Sequence, residues 1–177
     1  MIQTRYKILN WLTITLLLAV FCGLQSSFWY QLTGGAPAPQ LWLLLILYLA
    51  LYRTYIQAMI SVYALSLVIK AFSAVPLSML WSTLFLVVTA SSFIKGRMFW
   101  SNTRYFVIAA ASFVTSFNLI YYVLSKLIEE NSVTLSFFTR LAEIALTTLC
   151  AAPVYWLLLA IDKWTLPEVV ERKRVSE

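Results

Sequence analysis

The stretch Leu41–Lys70, LWLLLILYLALYRTYIQAMISVYALSLVIK, decides the fold. It is 30 residues of nearly unbroken apolar sequence with one arginine, Arg53, near its middle. Read as one helix, it would run to about 45 Å, well beyond a hydrocarbon core of roughly 30 Å. It would also hold a guanidinium at mid-depth, at a cost of roughly 3 kcal/mol. Read as two helices that turn at Arg53, the first starts near Ala36, inside the GGAPAPQ turn. About 17 residues, or about 25 Å of helix, then precede the arginine, and a snorkelling side chain covers the remainder. Pro37 and Pro39 are tolerated there because first-turn N–H groups have no partner to lose.

The other cations choose between the two readings, because cytoplasmic loops collect Lys and Arg. With a turn at Arg53 and a cytoplasmic N-terminus, the inside holds Arg5, Lys7, Arg53, Lys95, Arg97, Arg104, Lys163, Arg172, Lys173 and Arg174. Lys70, Lys126 and Arg140 lie outside, a split of ten to three. One continuous helix inverts every later span and leaves five inside against seven outside. The charges therefore favour the turn.

Composition sets the class. Of 177 residues, 62% are hydrophobic and 11% charged, and the mean hydropathy is +0.83. Soluble domains carry about a quarter charged residues, so a single integral membrane domain is expected. The net charge of +6 sits at span ends on one side. It reads as a topology determinant facing anionic lipid at the cytoplasmic face, and no nucleic-acid motif accompanies it. Cys22 and Cys150 fall inside apolar spans and read as small buried hydrophobes. Histidine is absent, and no acidic residue precedes Glu129. That removes His-based nucleophilic catalysis, most zinc sites and the usual intramembrane carboxylate relay. No enzyme activity, cofactor or metal is expected.

Six spans follow, at about residues 8–30, 37–52, 55–69, 75–94, 105–125 and 142–161, with a short basic tail over 162–177. The expected fold is an all-α compact bundle of six transmembrane helices with both termini cytoplasmic. Gln25 reads as an outer-interface amide, or as one end of an interhelical hydrogen bond. Tyr48, Tyr52 and Tyr55 surround Arg53 as an aromatic belt around an anchoring cation. Lys95, Arg97 and Arg104 form the densest mid-chain cytoplasmic cluster. The segment Lys126–Arg140 reads as an amphipathic turn carrying Val133, Leu135, Phe137 and Phe138 at the interface. An Arg140–Glu143 contact and a kink at Pro153 are also expected.

The sequence resembles the rod-shape-determining MreD family over roughly residues 20–100. Helix one closes with LQSSFW, similar to the family's L-Q-x-x-x-F ending at Leu24, Gln25 and Phe28. Pro39, Leu41 and the run LWLLLILYLALYR resemble its Leu-rich Y-x-A-L-x-R helix, carried by Tyr48, Ala50, Leu51 and Arg53. The following region, QAMISVYALSLVIKAFSAVP, departs from the family pattern, with no glycine and with Lys70 near the place of an expected acid. The resemblance implies a non-catalytic inner-membrane scaffold of the lateral peptidoglycan machinery. It implies docking of an MreC-like protein, with RodA-like and penicillin-binding proteins and MreB nearby. The contacts it implies are Gln25, the turn formed by Tyr48, Tyr52, Arg53 and Tyr55, and the loop containing Lys95, Arg97 and Arg104. The other reading is a substrate-binding subunit of an energy-coupling-factor vitamin transporter. Span one lacks the A-x-x-x-A-type docking pattern of those proteins. An orphan membrane protein of unassigned role is a third.

Overall fold

The computed structural model describes residues 2–95, 102–128 and 136–165. Among the described residues every regular element is helical. Helix α1 (Ile2–Gly23) passes through a π-helical turn (Leu24–Phe28) into α2 (Trp29–Thr33). There follow α3 (Leu41–Tyr52), α4 (Tyr55–Phe72), α5 (Leu77–Lys95), α6 (Thr103–Ile128) and α7 (Phe137–Thr165). Five of the helical stretches are long and apolar enough to cross a membrane, and α3 is a shorter apolar helix. The chain is a multi-pass membrane protein.

The helix ends follow from local chemistry. α2 stops at Gly34, whose φ of +64° is left-handed and whose N–H bonds the Tyr30 carbonyl at 3.0 Å. Gly35, at φ +101°, completes the reversal, and glycine adopts such positive φ angles without the strain a Cβ would bring. The second span was expected to become helical near Pro37, but α3 begins at Leu41. Proline pushes the residue before it into extended conformation, and Ala36 and Ala38 each precede one. The Trp29 indole holds this segment by donating to the Ala36 and Pro37 carbonyls at 3.2 and 3.0 Å.

The break at Arg53 is present. Arg53 is extended, at φ −105° and ψ 164°, and α4 begins two residues later. Several other ends shift from the expected ones, most of them outward and the start of α5 inward by two residues. α4 reaches Phe72, α5 starts at Leu77, and α7 begins at Phe137 and runs through Pro153 to Thr165. Residues 162–165 therefore belong to a helix and not to a tail. Phe137 and Phe138 form the exposed first turn of α7, while Val133, Leu135, Arg97 and residues 166–177 lie outside the described residues.

α3 sits at the centre. The long helices neighbour one another in the closed order α1, α4, α5, α6, α7 and back to α1, and α3 touches all five. Every residue from Leu43 to Leu51 is at most 4% exposed. A helix that is apolar all round belongs inside, and LWLLLILYLALY has no polar face to offer water or lipid headgroups. The ring helices present the opposite pattern, with large apolar side chains such as Leu16, Ile60, Phe93 and Leu149 facing outward. Such a surface suits a hydrocarbon solvent.

Candidate functional site

The C-terminal end of α3 carries a closed polar network. Arg53 Nη2 donates to Asp162 Oδ1 at 2.7 Å and to Asn10 Oδ1 at 3.1 Å. The other carboxylate oxygen, Asp162 Oδ2, accepts from the Tyr48 hydroxyl at 2.7 Å. Asn10 Nδ2 donates to Asp162 Oδ1 at 3.0 Å and to Thr165 Oγ1 at 2.6 Å. The Thr165 hydroxyl in turn donates to the Ile161 carbonyl at 2.7 Å. The ion pair is largely shielded, with side-chain exposures of 12% for Arg53 and 8% for Asp162. One network thus ties α1, α3, the α3–α4 turn and α7.

Lysine closes the same end from the other side. Lys95 Nζ donates to the carbonyls of Arg53 and Ala50, two acceptors at the end of α3. A cation there satisfies terminal C=O groups and complements the negative end of the helix dipole. Beside it, the Tyr52 hydroxyl donates to that of Tyr155 at 3.3 Å, and Phe106 stacks on Tyr155 at 4.8 Å between centroids.

The aromatic-belt reading of this turn needs correction. Tyr48 is 1% exposed and lies in the core, hydrogen-bonded to a carboxylate. Arg53 pairs with Asp162 instead of snorkelling to water. Tyr55 is exposed and shares a hydrogen bond with Thr89 at 3.2 Å. Arg104 is exposed at the start of α6. Of the eight residues singled out from sequence, Tyr48, Tyr52, Arg53 and Lys95 come together. Tyr55 and Arg104 stay outside the network, and Arg97 is not described.

Asn10, Asp162 and Thr165 were missed. A signal for Asp162 was present, because a charge at the end of an apolar helix calls for a counter-ion. On the expected inner side, Asp162 is the acid nearest a span.

Gln25 lies at the opposite end of the bundle. There a cavity of about 340 Å³ is bounded by the ends of α1, α4 and α6, the starts of α3, α5 and α7, and the segment before α3. Gln25, Gln40, Trp42, Phe117 and Arg140 are among its walls. The expected Arg140–Glu143 contact is present at 2.8 Å. Among the described residues no three His, Cys, Asp or Glu side chains gather as a metal would require.

No family model, curated protein or solved structure matches this chain.

A second concavity opens on the side of the ring, between α5 and α6, with a volume of about 190 Å³. Leu47 and Leu51 of α3 form its floor, and Ala90, Ser91, Ala109, Ser112 and Ser116 line its flanks. Small residues at such a seam let another helix backbone approach closely.

Proposed function

We propose that this chain is a non-catalytic membrane scaffold of the MreD type, which docks an MreC-like partner in the inner membrane and helps maintain cell shape. In this reading α3 counts as a sixth crossing. The Arg53 end and both termini face the cytoplasm, where the exposed Arg104 and Lys163 meet anionic lipid.

The observation that carries the proposal is the lateral groove between α5 and α6. It is apolar at its floor, edged by small residues and lies between two of the long apolar helices, which suits a single transmembrane helix. The polar network adds support of another kind. Asp162 accepts from Arg53, Tyr48 and Asn10, and Asn10 also accepts from Arg53, so these groups serve the fold and leave little freedom for acid–base chemistry. RodA-like and penicillin-binding proteins, with MreB on the cytoplasmic side, would then be reached through the partner.

The test is a gentle-detergent pull-down of the tagged chain from its native membrane, followed by mass spectrometry. The wild-type chain is expected to retain an MreC-like protein, and Ser112→Phe with Ser116→Phe, both at exposed positions, to lose it. Recovery of ABC-type ATPases with a coupling subunit would overturn the reading in favour of vitamin uptake. Partner recovery unaffected by the two substitutions would remove the groove from it.

A further inference from the structure

The cavity at the end opposite Arg53 has features that loose packing does not explain. Two buried side-chain oxygens, Gln25 Oε1 and Gln40 Oε1, have no hydrogen-bond partner, and both glutamines are among the residues that line it. Native proteins rarely leave such atoms unmatched. The orientation of the Gln40 amide is fixed by its surroundings. Its Nε2 donates to Glu143 Oε2 at 3.1 Å, and its backbone N–H donates to Thr147 Oγ1 at 2.8 Å. A carboxylate accepts only, so the nitrogen must face Glu143 and the oxygen must face away. At 8% exposure Gln40 is almost wholly enclosed.

The backbone around the cavity is irregular in two independent places. Gln25 sits in the π-helical turn Leu24–Phe28, and single π turns inside α-helices gather at functional sites. Gln40 ends the non-helical segment that leads into α3. At membrane depth such backbone is tolerated only where protein buries it or where it lines a cavity. Both departures from helix bring a glutamine with an unmatched amide oxygen to the same hollow. Trp42 and Phe117 supply an aromatic wall, edge to face at 5.3 Å between centroids. Arg140, at the rim, is neutralised by Glu143. The volume falls at the lower end of the roughly 300–1,000 Å³ common for small-molecule sites.

We infer that this cavity binds a small ligand with a flat apolar body whose polar end carries at least two N–H or O–H donors, one for each amide oxygen. The inference is independent of the scaffold reading. The donor pair can come from a free carboxamide or amine, or from the ammonium of a phosphatidylethanolamine headgroup.

Benzamide is the probe for the free form. Its NH2 offers two donors and its ring suits the Trp42–Phe117 wall, whereas methyl benzoate has the same ring and no donor. Thermal unfolding of the purified chain in detergent, with saturation-transfer NMR, reads binding. Benzamide is expected to raise the melting temperature and methyl benzoate to leave it unchanged. Gln25→Leu is expected to weaken benzamide by about five- to tenfold, the equivalent of one hydrogen bond. The same substitution should raise the melting temperature of the ligand-free protein, because it removes an unmatched oxygen. A merely structural glutamine would show neither the opposed signs nor the selectivity. Ser26→Phe, at an exposed position on the cavity wall, serves as a second variant and should abolish the benzamide response. Reconstitution in phosphatidylethanolamine, compared with phosphatidylcholine, separates the sources. Displacement of benzamide by the former alone supports the donor chemistry and assigns it to lipid. An equal response to methyl benzoate, or undiminished benzamide binding in Gln25→Leu, would overturn the inference.

Discussion

Replacing Asp162 by alanine is the sharpest probe of the bundle. The carboxylate accepts from Arg53, Tyr48 and Asn10 at 2.7, 2.7 and 3.0 Å. Hydrogen bonds to a charged group contribute about 1.5–3 kcal/mol each, but members of one network are not additive. The better guide is the loss of one partner of a buried ion pair, which costs about 3–5 kcal/mol because the other charge stays buried. Against this stands the ordinary hydrogen bond between transmembrane helices, averaging about 0.6 kcal/mol. Arg53 keeps Asn10 as an acceptor, so the expected loss for Asp162→Ala is at the lower end, about 3 kcal/mol. Reversible unfolding by SDS in mixed micelles, followed by circular dichroism, gives the value. The pair Arg53→Met with Asp162→Leu removes both charges and should recover most of the loss, ending within about 1 kcal/mol of wild type. A loss below about 1 kcal/mol for Asp162→Ala would mean that Arg53 reaches water or lipid phosphate after all. A double variant no more stable than the single one would refute the uncompensated charge as the cause.

Three further outcomes follow from the same geometry. Tyr48→Phe removes a bond to a carboxylate and should cost about 1.5 kcal/mol, whereas Tyr52→Phe, facing a neutral hydroxyl at 3.3 Å, should cost about 0.5 kcal/mol in the same titration. Leu45→Ala, at the centre of α3, should cost about 1–2 kcal/mol, below the 2–5 typical of water-soluble cores. Lipid replaces the hydrophobic transfer term there, and only the lost packing remains. A membrane-impermeant maleimide on intact cells should label Thr139→Cys, and Asn102→Cys only after permeabilisation. The embedded Cys22 and Cys150 set the background, and the reverse pattern would invert the proposed topology.

The sequence made the Arg53 break legible because two independent quantities, span length and cation balance, both require it. The central position of α3 was legible in principle from LWLLLILYLALY, whose every face is apolar, but apolar faces on all the helices hide which one the others surround. The start of α3 was misread because Pro37 and Pro39 are compatible with a first helical turn, and the deciding contact is the indole of Trp29, reached only in three dimensions. Asn10, Asp162 and Thr165 escaped because their roles depend on helix register across more than 100 residues of chain. The second cavity-lining amide, Gln40, read as part of a Gly/Pro turn.

The central helix also constrains the order in which the protein can be made. α3 is short, about 18 Å at 1.5 Å per residue, and ends in a charge, so alone it is a poor membrane insert. Apart from α1, its shelter is built from helices translated after it, and its counter-ion emerges 109 residues after Arg53. During synthesis the arginine therefore has the neutral Asn10 as its acceptor, and no counter-ion, until α7 arrives and the ring closes. A chain interrupted before α7 would keep Arg53 without its carboxylate partner at the end of a helix whose surrounding ring is still open.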